Sequence, residues 1–130
     1  MIRYLSLDWI DAVAAAVAAD DTLRALATDH TIGVTQIVTD SPEGTVTYHL
    51  SVRDGVASVG AGPAEVEDVR MEQSWETAVA VATGSMNAQK AFIEGRIRLT
   101  GDQQALIGAQ PVFGALDAVF RAVRARTDYT

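Results

Sequence analysis

Hydrophobic side chains recur along the chain with two different spacings, one helical and one extended. Near the N-terminus, Trp9, Val13 and Val17 stand four residues apart, so they share one face of a predicted helix over 7–20, with Ser6 as its N-cap. The same kind of spacing or an end signal predicts five further helices. These cover residues 20–30, 75–84, 87–95 and 103–110, and the stretch from 111 onward.

A spacing of two predicts strands in the middle of the chain and again near its last third. In the clearest of them, Val46, Tyr48, Leu50 and Val52 lie on one face and polar side chains lie on the other. The predicted strands cover residues 31–40, 45–53, 56–62, 65–73 and 96–101. Helices followed by an antiparallel meander, and then helices with one late strand, indicate an α+β fold in which the helices gather on one face of the sheet.

Length and composition narrow the class of protein. A chain of 130 residues predicts a single domain over 1–130, and 48% hydrophobic residues predict a packed core rather than a disordered chain. Cysteine is absent, which excludes disulfide scaffolds, thiol catalysis and thiolate metal sites. Asp8 and Asp11 interrupt the apolar run that a secretory signal would need, so we expect a cytoplasmic protein.

The charge of the chain is uneven. Its net value of −7 makes nucleic acid an unfavourable partner. Residues 1–89 hold 4 basic and 13 acidic side chains, whereas residues 90–130 hold 6 and 4. Arg121, Arg124 and Arg126 stand beside the apolar stripe of the last predicted helix. They either complement the helix dipole or support a transient contact of this C-terminal helix with an anionic membrane surface.

The most specific pattern lies in residues 86–102, where a short helix is followed by a glycine, a strand with alternating arginines and a Gly-Asp pair. The residues that carry it are Phe92, Gly95, Arg96, Ile97, Arg98, Leu99, Gly101 and Asp102. Together with the strand–turn–strand at 47–62 and the helix after Ser74, this region resembles the sterol carrier protein type-2 family, the non-specific lipid-transfer domain, in the form of a bacterial stand-alone member. The resemblance covers about residues 45–110.

This resemblance implies a single twisted, mostly antiparallel five-stranded sheet, with helices on one face and a hydrophobic cavity between them. The implied ligand is a fatty acid, acyl-CoA, phospholipid or sterol-like molecule. One polar residue, Gln36, lies on the apolar face of its strand, where it could hydrogen-bond a ligand head group. The predicted cavity-lining residues are Gln36, Trp75, Val79, Phe92, Ile97, Leu99, Leu106, Phe113, Leu116 and Phe120. The same side chains would also make an ordinary core.

Three functions fit this sequence. The leading hypothesis is a lipid carrier that performs no covalent chemistry and needs no cofactor or metal, and it assigns no catalytic residue. The alternative is a small isomerase or cyclase acting on a polyketide- or steroid-like substrate in the same pocket, with Glu72, Glu76 and Asp102 as acid–base candidates. The third is a scaffolding partner with a filled core. His30 and His49 are too few for a three-histidine metal site. The chain is compatible with a homo-oligomer.

Overall fold

The secondary structure follows the order that the sequence predicts. The structure, a computed structural model, describes residues 1–129, apart from the side chains of Ala88 and Gln89. Within this range there are six helices and seven strands. The helices are α1 (Leu7–Ala19), α2 (Asp21–Leu26), α3 (Trp75–Ala82), α4 (Ala88–Ile93), α5 (Gln103–Gly108) and α6 (Gln110–Arg124). The strands are β1 (Ile2–Arg3), β2 (Ile32–Ser41), β3 (Gly44–Arg53), β4 (Val56–Ala61), β5 (Val69–Ser74), β6 (Ile97–Gly101) and β7 (Thr127–Asp128).

Side-chain caps fix where the helices begin. Ser6 Oγ accepts a hydrogen bond from the Trp9 N–H at 3.1 Å, and Ser74 and Asp102 cap α3 and α5 in the same way. Each cap satisfies a backbone donor that would otherwise lack a partner in the first turn. The N-cap predicted at Ser6 is therefore confirmed.

Five strands form one sheet in the order β4-β3-β2-β5-β6, and β1 pairs with β7 in a separate parallel ribbon. All neighbours in the large sheet are antiparallel except β2 and β5. The helices α1 and α3 pack on this sheet, and α6 packs against α1 and α2. The predicted α+β class, with a mostly antiparallel five-stranded sheet, is confirmed.

The connection between β4 and β5 differs from the predicted meander. Asp68 Oδ2 accepts the Gly33 N–H at 2.8 Å, and the Ala64 N–H donates to Thr35 Oγ1 at 3.0 Å. Residues 64–68 therefore cross the outer face of β2 instead of forming a strand beside β4. For this reason the strand predicted over 65–73 begins only at Val69 and pairs with β2 in parallel.

The core lies between the inner face of the sheet and the helices. Val34, Val38, Leu50 and Val52 point inward from β2 and β3, and their exposed fractions range from 0% to 7%. The helices contribute their apolar stripes to the same cluster. Buried members from the helices are Trp9, Ile10, Val13, Val17, Leu23, Ala78, Val112, Leu116, Val119 and Val123.

Candidate ligand-binding site

One row of side chains crosses the inner face of the sheet and organises the candidate site. Strand pairing places Tyr48 opposite Gln36, Gln36 opposite Met71, and Met71 opposite Leu99. Because side chains alternate along a strand, all four project to the side of the helices. The row begins among aromatic residues at Tyr48 and ends among aliphatic ones at Leu99. Three cavities lie along it.

The largest of these, here called the β6 cavity, lies between β5, β6, α4 and α5. Its volume is about 490 Å³, which is within the range of small-molecule pockets. Two residues of its wall remain exposed, Phe92 at 44% and Ile93 at 82%. Ile107, next to Leu106 on α5, is 61% exposed. The lining consists of Met71, Phe92, Ile93, Ile97, Leu99, Leu106 and Gln110. Its surface is thus almost wholly apolar, with one amide.

A second cavity of about 180 Å³, the central cavity, lies above the middle of the sheet. It is walled by Val34, Gln36, Tyr48, Leu50, Val59, Phe113, Leu116, Asp117 and Phe120. A third cavity, the aromatic cavity, also has a volume of about 180 Å³. It is walled by Tyr4, Trp9, Gln36, Tyr48, Gln73, Ala78, Val81, Ala82, Asp117, Phe120, Arg124 and Tyr129. The two share four lining residues and therefore adjoin.

Aromatic rings form one end of the aromatic cavity. Trp9 meets Tyr4 edge to face with ring centres 4.9 Å apart, and it stacks on Phe120 at 6.2 Å. Tyr129, just after β7, lies 4.8 Å from Tyr4. The ribbon of β1 and β7 therefore positions two of these rings. Such offset and edge contacts add to the stability gained by burial alone.

The polar groups of the aromatic cavity are unusual in their hydrogen bonding. Gln73 Oε1 and Arg124 Nε are buried without a partner among the described residues. Gln73 Nε2 donates to Gln36 Oε1 at 3.5 Å, while Asp117 is held by Arg121 at 2.6 Å. A buried polar atom without a partner costs free energy, so these two atoms make the polar side of this wall less stable than its aromatic side.

Two tyrosines of this cavity, Tyr4 and Tyr48, keep their protons. Burial is the main reason that the pKa of the Tyr4 phenol lies well above its ordinary value, and Tyr48 and Tyr129 raise it further. Burial also raises the pKa of Tyr48. At neutral pH both are uncharged O–H groups, so the aromatic cavity presents polar but neutral phenols.

The structure brings eight of the ten predicted lining residues to these cavities. Phe92, Ile97, Leu99 and Leu106 line the β6 cavity. Gln36, Phe113, Leu116 and Phe120 line the central one. The other two residues are Trp75 and Val79. They pack against the core cluster, with Trp75 beside the ring of Tyr4, and they do not belong to the linings of the three cavities.

The aromatic cavity contains functional candidates that no pattern in the sequence assigns to a site. Tyr4 and Tyr129 lie at the two ends of the chain, and no periodic pattern brings them together. The sequence assigns Arg124 to the helix dipole or to a membrane contact, and not to a cavity. Gln73 falls on the same strand face as Met71, and this alternation was the one signal that could have placed it inside.

The acid–base candidates of the enzyme alternative lie elsewhere. Glu72 points to the outer face of β5, opposite to Met71 and Gln73, and Glu76 is exposed in the first turn of α3. Asp102 is occupied as the cap of α5. None of the three belongs to the lining of a described cavity, so the isomerase or cyclase alternative has no support.

The two histidines serve local contacts. His49 projects to the outer face of β3, where its Nδ1 lies 3.0 Å from the Gly62 carbonyl oxygen. His30 Nδ1 lies 3.0 Å from the carbonyl oxygen of Leu26, at the end of α2. In the part of the chain that the structure describes, no three His, Asp or Glu side chains are grouped so that they could hold a metal ion.

The last helix buries most of its apolar stripe. Val112, Leu116, Val119 and Val123 of α6 are at most 5% exposed, because they face the core. A membrane contact through this helix stays a prediction. Because the apolar stripe is buried, the polar face that carries Arg121 would have to make that contact. None of the described helices has the length and apolar character needed to cross a bilayer.

Comparison with known proteins identifies the relatives of this chain. The model of the SCP-2 sterol transfer family matches residues 13–114. Among solved structures, a conserved hypothetical protein of Thermus thermophilus is 18% identical and covers 98% of this chain and 92% of its own, with a TM-score of 0.68. The crystal structure of sterol carrier protein 2 is 19% identical over 93% of this chain and 97% of its own, with a TM-score of 0.66.

A third structure, palmitated SCP2L2 from Aedes aegypti, is 18% identical and covers 82% of this chain and 90% of its own, with a TM-score of 0.60. These likenesses concern the fold. No curated protein matches the chain.

Proposed function

Because this chain belongs to the SCP-2 sterol transfer family, we propose that it binds one apolar ligand between the sheet and the helices and carries it without chemical change. The ligand class is a fatty acid, acyl-CoA, phospholipid or sterol-like molecule. The observation that carries this proposal is the β6 cavity, about 490 Å³ of space on the inner face of the sheet. Space of this size with apolar walls is unfavourable when empty and favourable when a hydrocarbon fills it.

The walls of the β6 cavity support an aliphatic ligand. Ile97 and Leu99 of β6 supply its floor, and Phe92 and Leu106 supply its sides from α4 and α5. These side chains offer no hydrogen bonds, so polar ligands would lose their hydration without compensation. The palmitated structure from Aedes aegypti, which shares this fold, also favours an acyl chain.

Exposed apolar side chains at this cavity support a route for the ligand. Phe92, Ile93 and Ile107, here called the rim, lie on α4 and α5 with 44%, 82% and 61% of their surface exposed. A rim of this kind can enter the apolar edge of a lipid surface and shield a ligand as it leaves the membrane. We infer that the carrier works in the cytoplasm and meets membranes only transiently.

Native mass spectrometry of freshly purified protein tests the proposal, followed by lipid extraction and identification. We expect one apolar molecule per chain, released on denaturation. An additional test is displacement of the fluorescent probe N-phenylnaphthylamine by fatty acids of increasing length. Protein that arrives bare and binds neither probe nor fatty acid would exclude the carrier function and favour a scaffolding role.

A further inference from the structure

We propose that Met71 determines the length of the apolar chain that the protein carries, because its side chain closes the inner end of the β6 cavity. The inference rests on the proposed carrier function and deepens it by assigning the length limit to one residue. Met71 lines the β6 cavity, whereas its hydrogen-bond partner Gln36 lines the central and aromatic cavities. Gln36 Nε2 and Met71 Sδ are 3.4 Å apart, so these two side chains form a wall between the spaces, here called the partition.

The partition is thin on both the sheet side and the helix side. On the sheet, Met71 and Gln36 are register partners on the neighbouring strands β5 and β2, which places them about 5 Å apart. On α6, Gln110 lines the β6 cavity and Phe113 lines the central cavity. Residues three apart lie on the same side of a helix, so this wall also passes from one space to the other within a single turn. Side chains rather than backbone therefore separate the two cavities.

The position of the partition fits the inner end of a bound chain. Phe92 and Ile93 are exposed at the mouth of the β6 cavity, whereas Met71 is partly buried behind Leu99, one strand further from the sheet edge. The lining of this cavity includes no charged side chain. A carboxylate would lose its hydration inside, so it stays in water at the mouth and the methyl end of the chain points toward Met71.

Crossing the partition has two costs for a longer chain. It must displace the Met71 side chain from the amide of Gln36, a contact that is weak because a thioether is a poor acceptor. It must also lie against that amide, whose hydrogen bonds to Met71 and from Gln73 a hydrocarbon cannot replace. Both costs fall on the methylenes that pass the partition, so the gain in affinity per methylene should end there.

A smaller residue at position 71 should remove the limit. The central cavity offers about 180 Å³ beyond the partition, and its floor extends from Gln36 to Tyr48 on the next strand. Met71→Ala would join this space to the β6 cavity, whereas Met71→Phe would fill the gap with a ring that has fewer rotatable bonds than methionine. The two substitutions should therefore shift the length limit in opposite directions.

Binding of saturated fatty acids from octanoate to eicosanoate tests the inference, with displacement of N-phenylnaphthylamine as the readout. On the unmodified protein, each added methylene should tighten binding about fourfold until the β6 cavity is full, and longer chains should then bind no tighter. In Met71→Ala the rise should continue for about four carbons or more, because two strand spacings, about 10 Å, become accessible. In Met71→Phe the rise should end at a shorter chain.

Leu106→Ala is the matched control, because Leu106 lines the β6 cavity from α5 and does not line the central cavity. It enlarges the same space without joining the two, so its limit should stay within one member of the series. Thermal unfolding verifies each variant, and Met71→Phe alone decides if Met71→Ala does not fold. If fatty acids bind but the limit does not move with residue 71, or moves as far in Leu106→Ala, the carrier function stands and the partition is overturned. If no fatty acid binds, the carrier function fails and the inference fails with it.

Discussion

The side chains of Gln36 and Met71 meet across the parallel pair of β2 and β5, where Gln36 Nε2 donates to Met71 Sδ at 3.4 Å. A thioether is a weak acceptor, so this contact satisfies the amide only poorly. The pair also stands between the central cavity, which Gln36 lines, and the β6 cavity, which Met71 lines. We therefore expect this pair to affect ligand binding more than stability.

Replacing this amide with a hydrocarbon tests that statement. Gln36→Leu should change the free energy of unfolding by no more than about 1 kcal/mol, because the lost hydrogen bonds are long and weak. Affinity for a wholly apolar probe should rise, since the cavity wall loses a group that must be dehydrated. Urea titration and probe titration give the two quantities. Gln104→Leu, on an exposed position of α5, should alter neither. A large loss of stability in Gln36→Leu would show that the amide is structural.

Substitutions on the two faces of β6 test whether the ligand occupies the β6 cavity. Leu99→Trp places an indole in the β6 cavity, so binding of acyl-chain probes should fall at least tenfold, about 1.4 kcal/mol of binding free energy. Thr100→Trp places the same ring on the opposite, exposed face and should bind normally. Probe displacement measures both variants, and thermal unfolding verifies that each is folded. Equal binding by the two variants would place the ligand elsewhere.

The exposed rim predicts a kinetic effect. Ile93→Glu should slow transfer of a fluorescent fatty acid between neutral vesicles several-fold, because a charged side chain disfavours contact with the apolar edge of the membrane. Equilibrium binding should remain as it is, since Ile93 is 82% exposed. Val56→Glu, at an exposed apolar residue on the far strand β4, is the control and should transfer at the normal rate. An unaltered rate in Ile93→Glu would exclude the rim from membrane contact.

Gly33 is the position where the structure tolerates a side chain least. An added Cβ would lie 1.7 Å from the Val66 carbonyl oxygen, in the segment that crosses the outer face. Gly33→Ala should therefore lower the free energy of unfolding by about 3 kcal/mol or more. Gly114→Ala, within α6 and with open space around it, should raise it by about 0.5–1 kcal/mol. Chemical denaturation compares the two, and a neutral Gly33→Ala would contradict the crossing described above.

The pKa of Glu67 predicts how the free energy of unfolding changes at acidic pH. Its carboxylate accepts hydrogen bonds from Thr35, which has the larger effect, and from Arg70. Both lower its pKa below the usual 4.5. A lowered folded pKa means that its contribution is complete above the unfolded pKa and is lost as pH falls through the folded one. Glu67→Gln should thus be less stable than wild type at neutral pH, and the difference should shrink below pH 4.5. A difference that does not depend on pH would exclude this carboxylate as the cause.

The sequence predicted the parts of this fold that depend on neighbours along the chain. The cap at Ser6 and the alternation of β3 and β6 are local, so residue type and periodicity located them. The parallel pairing of β2 with β5 depends instead on the segment that contacts Gly33 from the outer side. No local pattern encodes such a crossing.

The candidate site also contains residues that local spacing predicts and residues that it does not. Inward alternation correctly placed Ile97 and Leu99, but whether a face is filled or hollow depends on how helices pack over it. The aromatic cavity combines Tyr4 with Tyr129 through the β1–β7 ribbon. Residues from opposite ends of a sequence meet only in three dimensions, so this part could not be predicted from spacing.

That ribbon also determines the order in which the core can be completed during synthesis. Ile2 leaves the ribosome long before its strand partner Thr127. The sheet and most helices can form before then, whereas Tyr129 can close its side of the aromatic pocket only after translation has reached it. The aromatic cluster that joins Tyr4 to Tyr129 would therefore be the last part of the interior to close on a nascent chain.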